Sequence, residues 1–509
     1  MPVTYKSTRG GEKGISFREV VFNGLAKDGG LFIPEYIPKL PVEDILKMRS
    51  LSFVDMSFEI ISQYISTEDV PHHILKSLLE KSFGSFRAPE VTPCVRVDDF
   101  WLLELFHGPT LAFKDVAMQF LGNLFEYLLF TASENEPKFL TVLGATSGDT
   151  GSAAIHGLRG KRGINCFILY PRGKVTELQE RQMITVRDAN IFCIAQEGDF
   201  DCAQSTVKAA FADAKFRREV NLAAVNSINW ARVLVQMTYY FYAWLRMTDG
   251  VKDCTAETPT PVNFSVPTGN FGNVLAGYYA KTMGLPVGKL AVCTNENNVL
   301  HKFFETGMYI RQPSQPTLAP SMDISISSNF ERYLYYLADE NSSVLASWMR
   351  IFESTGNLSV PYRTLHRARD DFCSHASNRE EIITTMRMVY EKERCLLCPH
   401  TATAVAGMKV LDLDPSTTVC LATAHPAKFE DAVSLALQNL LPPLTPPELA
   451  ELRDLPTSTH SVYPSLSSLK GFIRGRINKD SMALYYISMA TATALVLGMF
   501  LLSRRSSGA

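Results

Sequence analysis

Short apolar segments alternate with helical stretches from about residue 138 onward, and no other feature limits the fold of this chain so strongly. Apolar runs at 139–143, 164–170, 191–195, 262–266, 290–293 and 418–421 have the length and side-chain content of buried strands. The stretches between them are long enough for helices. Strands joined through helices run parallel, so the pattern predicts an α/β fold with a largely parallel sheet. Ligands of such open sheets sit beyond the carboxyl ends of the strands. Loops that directly follow strands are therefore where chemistry is expected.

The chain has 509 residues, enough for roughly two to four domains and a large core without staples. Residues 1–90 read as an N-terminal cap, with helical patterning at 53–65 and 73–83 and Pro34, Pro38 and Pro41 before it. Two α/β blocks follow, 91–260 and 261–455. The link TAETPTP at 255–261 joins them, and the Pro-rich turn PPLTPP at 442–447 closes the second. Residues 456–509 form a tail of different character.

Charge excludes one broad class of partner. Fifty Lys and Arg against fifty-two Asp and Glu give a formal charge of −2, with none of the basic excess that draws a protein to a phosphate backbone. No nucleic-acid partner is expected. Ten cysteines are scattered without framework spacing, which favours a reducing, cytoplasmic setting. The pair Cys395 and Cys398 has His400 close by but no fourth zinc ligand in the sequence, so no metal is expected.

Two loops carry the chemistry. After the run at 262–266 comes Pro267-Thr268-Gly269-Asn270-Phe271-Gly272-Asn273, followed by a helical stretch. Glycines let backbone N–H groups approach an anion, and the helix N-terminus adds free N–H groups and its dipole. The spacing is neither that of a Walker loop nor of a dinucleotide loop. An ordinary strand–turn–helix connection is the competing reading. After the run at 139–143 comes Gly144-Ala145-Thr146-Ser147-Gly148-Asp149-Thr150-Gly151-Ser152. Simple helix capping explains one of these polar residues but not the whole loop, which suits a carboxylate or a second phosphate.

Lys114 is a lone cation in the apolar stretch that follows HGPTLAF. Desolvation by such neighbours favours the neutral, nucleophilic amine. The plainer alternative is a surface lysine paired with Asp115. Two anion loops and one lysine in apolar surroundings together suggest a phosphorylated aldehyde cofactor, pyridoxal 5'-phosphate.

Six motifs, in order, carry a more specific resemblance: HGPTLAFKD, GATSGDTGSAA, VNSINWAR, PTGNFGN, SMDISISSNFER and ATAHPAKF. With these and the start YKSTR, the chain resembles the threonine synthases, of the longer type found in fungi, over residues 5 to about 436. The resemblance implies a fold type II pyridoxal-phosphate enzyme, similar to the tryptophan synthase β subunit. Two open α/β domains would hold the cofactor in their cleft, beside an N-terminal cap domain. It implies that Lys114 is the Schiff-base lysine. Gly269, Asn270, Phe271, Gly272 and Asn273 would hold the cofactor phosphate, and Thr423 would meet the pyridine nitrogen. Thr146, Ser147, Gly148, Asp149 and Thr150 would face the substrate. Cys398 stands where relatives commonly have Asp, and Asn273 where Asp is frequent.

The implied reaction takes O-phospho-L-homoserine and water to L-threonine and phosphate. Lys161, Lys174, Arg181 and Arg232 are the basic candidates for the substrate phosphate. Two alternatives use the same scaffold: a phospho-lyase releasing α-ketobutyrate, and a non-catalytic, membrane-tethered binding protein. The oligomeric state stays open. The family's charged ending is not recognisable after about residue 455. Residues 482–502 lack charge and would span about 31 Å as a helix, a candidate membrane anchor. A buried helix of the soluble fold and an artefact of the gene model are the other two readings of that stretch. Any membrane contact is expected only through this tail.

Overall fold

The computed structural model describes residues 3–133, 138–438 and 445–477. The candidate anchor at 482–502 lies outside the described residues. Among those described, no helix is long and apolar enough to cross a membrane.

The N-terminal cap carries a small antiparallel pair, β1 (Tyr5–Ser7) and β2 (Phe32–Pro34). A hairpin follows, β3 (Cys94–Val97) and β4 (Phe100–Glu104). Then come β5 (Leu140–Ala145), β6 (Ile164–Pro171), β7 (Ile191–Gln196) and the short β8 (Leu222–Ala223). The second half contributes β9 (Val262–Pro267) and β10 (Val287–Thr294). Beyond them lie β11 (Met308–Ile310), β12 (Asn357–Ser359), β13 (Phe372–Ala376), β14 (Thr418–Ala422) and β15 (His460–Ser461).

Two main sheets result. One has the order β15-β7-β6-β5-β8 and is parallel throughout; the other has the order β13-β10-β9-β14-β4-β3, parallel except for the β3–β4 hairpin. All six apolar runs picked out in the sequence are strands of these sheets, with ends moved by at most a few residues. Sheet membership is not continuous along the chain. The β3–β4 hairpin, early in sequence, completes the second sheet, and β15, late in sequence, edges the first. The hairpin escaped the sequence pattern because β4, FWLLE, buries Phe100, Leu102 and Leu103 and so shows no clean alternation.

The helix Trp230–Met247 is buried along nearly its whole length and forms the centre of the molecule. Its apolar surface faces partners on every side, unlike the one-sided stripe of a surface helix. The helices Lys114–Phe130 and Asp149–Leu158 cross so closely that glycine is required at the crossing. A Cβ on Gly122 would lie 2.0 Å from the Gly157 carbonyl oxygen, and one on Gly157 would lie 2.5 Å from that of Met118. Both obstacles are backbone and cannot swing aside. We expect Gly157→Ala to cost about 1–3 kcal/mol or more through overpacking, read as a lowered melting temperature.

The cap is tied to the site by buried polar contacts. Tyr5 accepts a hydrogen bond from the Trp230 indole at 3.1 Å and donates to the Tyr64 carbonyl at 2.7 Å. The fully buried Arg332 donates to the carbonyls of Phe32 and Ile228, at 2.9 and 2.7 Å. Thr8 and Arg9 both bond Glu331. The SISSNFER segment thus holds the cap against the start of the central helix.

Candidate active site

Four segments converge on one cleft between the sheets, and each follows the carboxyl end of a parallel strand. Lys114 follows β4, the Thr146–Thr150 loop follows β5, the Gly269–Asn273 loop follows β9, and Thr423 follows β14 directly. Their meeting point is the one expected for open parallel sheets. The Lys114 loop is pinned to the β14 loop by hydrogen bonds from Phe113 N–H to the Thr423 carbonyl, 2.8 Å, and from His425 N–H to the Leu111 carbonyl, 3.0 Å.

Lys114, Asp149, Thr150, Gly269, Asn270, Phe271, Gly272, Asn273 and Thr423 line a single pocket. Thr146, Ser147 and Gly148 do not. Thr146 is spent on its own loop: its hydroxyl oxygen accepts from the N–H groups of Gly148, 3.0 Å, and Gly151, 2.8 Å. Gly148 has φ +144°, and a Cβ there would lie 2.5 Å from the Gln179 side chain, so the turn into the helix needs glycine. This loop aims the Asp149–Leu158 helix into the cleft.

The cradle after β9 has its carbonyls tied away from the pocket. Ser327 donates its hydroxyl to the Gly269 carbonyl at 2.8 Å, and the Asn329 amide donates to the Asn270 carbonyl at 3.0 Å. The N–H groups of Gly269 to Asn273 make no loop or side-chain hydrogen bond among the described residues. Phe271 has φ +62°, rare without glycine, and opens the Gly272–Met283 helix. Glycine at 269 and 272 serves the neighbouring chain: Cβ atoms there would press on the Ser321 carbonyl at 3.1 Å and the Asn329 amide at 3.3 Å.

Two residues that line this pocket each carry a buried donor without a partner. The Asn273 side-chain oxygen accepts from the Tyr239 hydroxyl, 2.6 Å, and the Tyr240 hydroxyl, 3.0 Å. Those hydroxyls fix the amide so that Nδ2 is the free end, and Nδ2 has no partner. Arg232 is 4 % exposed and donates to the Val225 carbonyl at 2.9 Å, while its Nε is unpaired. It has no carboxylate partner among the described residues, and burial pushes its pKa down to about 10. An orphaned buried donor costs about 1–3 kcal/mol, and an uncompensated buried charge more. Each residue leaves an unpaired donor for a phosphate-bearing ligand of this pocket. Arg232 was one of four basic candidates in the sequence. Lys161 instead bonds Asn123, Arg181 reaches the Leu452 carbonyl, and Lys174 is exposed.

Lys114 lies opposite the cradle. It is buried, and its Nζ is 3.5 Å from Asp149 Oδ2, 3.4 Å from the Ser321 hydroxyl and 4.9 Å from the Phe113 ring centroid. Burial lowers its pKa against the opposing pull of Asp149. The pairing with Asp115 does not occur; that carboxylate accepts from the Thr110 hydroxyl and N–H at 2.7 and 2.8 Å. His400 Nε2 accepts the Ser321 N–H at 3.1 Å, which places the ring proton on Nδ1. Burial holds His400 down to about 3, so the ring stays neutral. Burial acts to raise the Asp149 carboxyl, but the charges of Lys428 and Lys114 overcome it and hold the group well below the usual carboxylate range.

Sequence reasoning did not single out Lys428, Ser321 or His400 as site residues. Two of them lie in ATAHPAKF and SMDISISSNFER, but the buried partners that give them a role come from distant parts of the chain.

The comparisons with known proteins fit this arrangement. A family described as pyridoxal-phosphate dependent enzymes matches residues 85–359, which hold Lys114 and both glycine-rich loops. The molecule is by class a pyridoxal-phosphate enzyme of fold type II. Families described as the threonine synthase N terminus and C-terminal region match residues 4–83 and 401–473. The second match runs past residue 455 and takes in most of the Leu466–Arg476 helix. A threonine synthase from Schizosaccharomyces pombe is 45 % identical, covering 94 % of this chain and 99 % of the relative. The crystal structure of a yeast threonine synthase superposes with a TM-score of 0.88 at 43 % identity, over 94 % of this chain and 99 % of that one. A pyridoxal-phosphate-bound threonine synthase from Brucella melitensis gives 0.87 at 37 % identity, over 93 % and 99 %. The chain belongs to the threonine synthase family.

Proposed function

We propose that the chain converts O-phospho-L-homoserine and water into L-threonine and inorganic phosphate, with pyridoxal 5'-phosphate as its cofactor. The carrying observation is the pocket that Lys114 shares with Asn273 and Arg232, whose Nδ2 and Nε are buried without partners. When bound, the cofactor supplies an electron sink that lets the γ-phosphate depart. Lys114 would hold the cofactor aldehyde, and its amine, once free, would take protons from Cα and Cβ of the substrate, deliver one to Cγ, which becomes the methyl group as the phosphate leaves, and return one to Cα, while water supplies the hydroxyl at Cβ. The N–H groups of Gly269, Asn270, Phe271, Gly272 and Asn273 would hold the cofactor phosphate. Thr423 would meet the ring nitrogen through its hydroxyl. Of the Thr146–Thr150 loop, Thr150 and the N–H groups at the helix start would face the substrate carboxylate, while Asp149, itself a carboxylate, is held by the buried lysines. Arg232 is the one cation of the four candidates that lines the pocket, which favours it for the departing phosphate.

Ten free cysteines, several of them buried, support a reducing cytoplasmic location. The test is the product. Purified protein loaded with pyridoxal phosphate should release threonine and phosphate in equal amounts from O-phospho-L-homoserine. Release of α-ketobutyrate in place of threonine would overturn the reading in favour of a phospho-lyase.

A further inference from the structure

A second buried lysine stands behind the first. Lys428, in the short turn Pro426–Lys428 after β14, is 1 % exposed. Its Nζ lies 2.7 Å from Asp149 Oδ1 and donates to the Thr110 carbonyl at 2.8 Å. The same carboxylate oxygen accepts the Gln179 amide at 2.9 Å. Lys114 reaches the other oxygen, Oδ2, at 3.5 Å, and shares it with the Ser321 hydroxyl at 3.2 Å. One carboxylate thus serves two lysines unequally. The short, charge-assisted contact goes to the lysine that does not line the pocket.

We infer that Lys428 is a positioning residue: it claims the Asp149 carboxylate, and so leaves the Lys114 amine unneutralised and free to act as nucleophile and base. The inference rests on the pyridoxal-phosphate reading and adds to it a residue outside the pocket wall. Asp149 left to Lys114 alone would form a tight buried ion pair and keep the amine protonated. The charge of Lys428 also repels a proton on Lys114 directly. The remaining groups facing Lys114 do not supply an anion. Arg232 from the central helix is a cation, His400 from the Pro399–Val410 helix is neutral, and Ser321, Thr150 and the Phe113 ring carry no charge. Asp115, next in the chain, is turned to Thr110.

The test is the pH dependence of pyridoxal-phosphate capture by the full chain stripped of cofactor, followed by absorbance. Only the neutral amine attacks the aldehyde, so the capture rate rises with pH through an inflection set by Lys114. Lys428→Met removes a repelling cation and releases Asp149, and both changes raise the inflection. We expect an upward shift of at least about one pH unit, which is roughly tenfold slower capture at a fixed pH below it. Lys428→Arg keeps the charge and should keep the wild-type inflection. A purely structural role would lower melting temperature without moving the inflection. An unchanged or lowered inflection in folded Lys428→Met overturns the inference. If that variant does not fold, Lys428→Gln takes its place, keeping a donor near Asp149 and the Thr110 carbonyl without the charge: the same upward shift is expected, and an unchanged or lowered inflection overturns the inference equally. Failure of the wild-type chain to capture the cofactor would instead refute the pyridoxal-phosphate reading.

Discussion

Lys114→Ala is expected to lose the visible absorption band of the loaded protein and to slow turnover by about 10³–10⁴-fold, the upper part of the range for removing a positioned proton-transfer group. Three features place the effect on this one side chain. Among the described residues its amine is the only lysine amine lining the pocket, it is buried, and burial already biases it toward the neutral form. The truncation removes no ion pair that the fold depends on, because Asp149 keeps its shorter contact with Lys428. The variant should therefore stay folded, and should still bind pyridoxal phosphate without covalent attachment through the donors after β9. Retained turnover with an unchanged spectrum would place the reacting amine elsewhere.

Arg232→Met should have opposite effects on the empty and the loaded protein. In the empty chain the guanidinium is buried with one carbonyl partner and an orphaned Nε. Replacing such a charge by an apolar side chain of similar length is commonly neutral or stabilising, by about 1–4 kcal/mol. Once a phosphate-bearing ligand is bound, the same substitution removes a charged hydrogen bond worth about 1.5–3 kcal/mol, or roughly 10–100-fold in affinity. The melting temperature of the stripped protein should rise or hold, while the stabilisation by ligand shrinks. Separate titrations with pyridoxal phosphate and with O-phospho-L-homoserine tell which phosphate Arg232 serves. A loss of melting temperature with ligand affinity intact would show a structural arginine instead.

The sequence pattern revealed the parts of this molecule that repeat a simple physical motif. Fully buried parallel strands are short apolar runs, and all six such runs became strands. The two glycine-rich loops stood out because glycine and small polar residues directly after a strand have few structural uses in combination; the loop after β9 lines the pocket, and the loop after β5 reaches it only with Asp149 and Thr150. What stayed hidden depends on contacts across long separations. The β3–β4 hairpin takes its place from β14, and no local period announces that. Lys428 reads as an ordinary surface lysine until the fold brings it to Asp149, far away in sequence. Likewise, Lys114 and Asp115 are adjacent cation and anion, which suggested a local pair. The helix turns them to different partners, one to the pocket and one to Thr110. Arg232 could be separated from Lys161, Lys174 and Arg181 only by burial.

The discontinuous second sheet has a consequence for how the chain is made. Among the described residues, β4 pairs only with β3 and with β14, and β14 leaves the ribosome roughly three hundred residues after β4. At about 5–20 residues per second, that interval is on the order of 15–60 seconds. Throughout it the Cys94–Glu104 hairpin presents an open strand edge, the kind of surface that invites pairing with a stranger. Closing so long a loop also carries the entropy that slows folding of non-local topologies. Lys114 sits on the segment leading out of that waiting strand, pinned in place by the residues just after β14. Translation therefore acts as a timer: the pocket comes together only when nearly the whole chain exists, and a nascent or truncated chain lacks the β14 strand that would complete it.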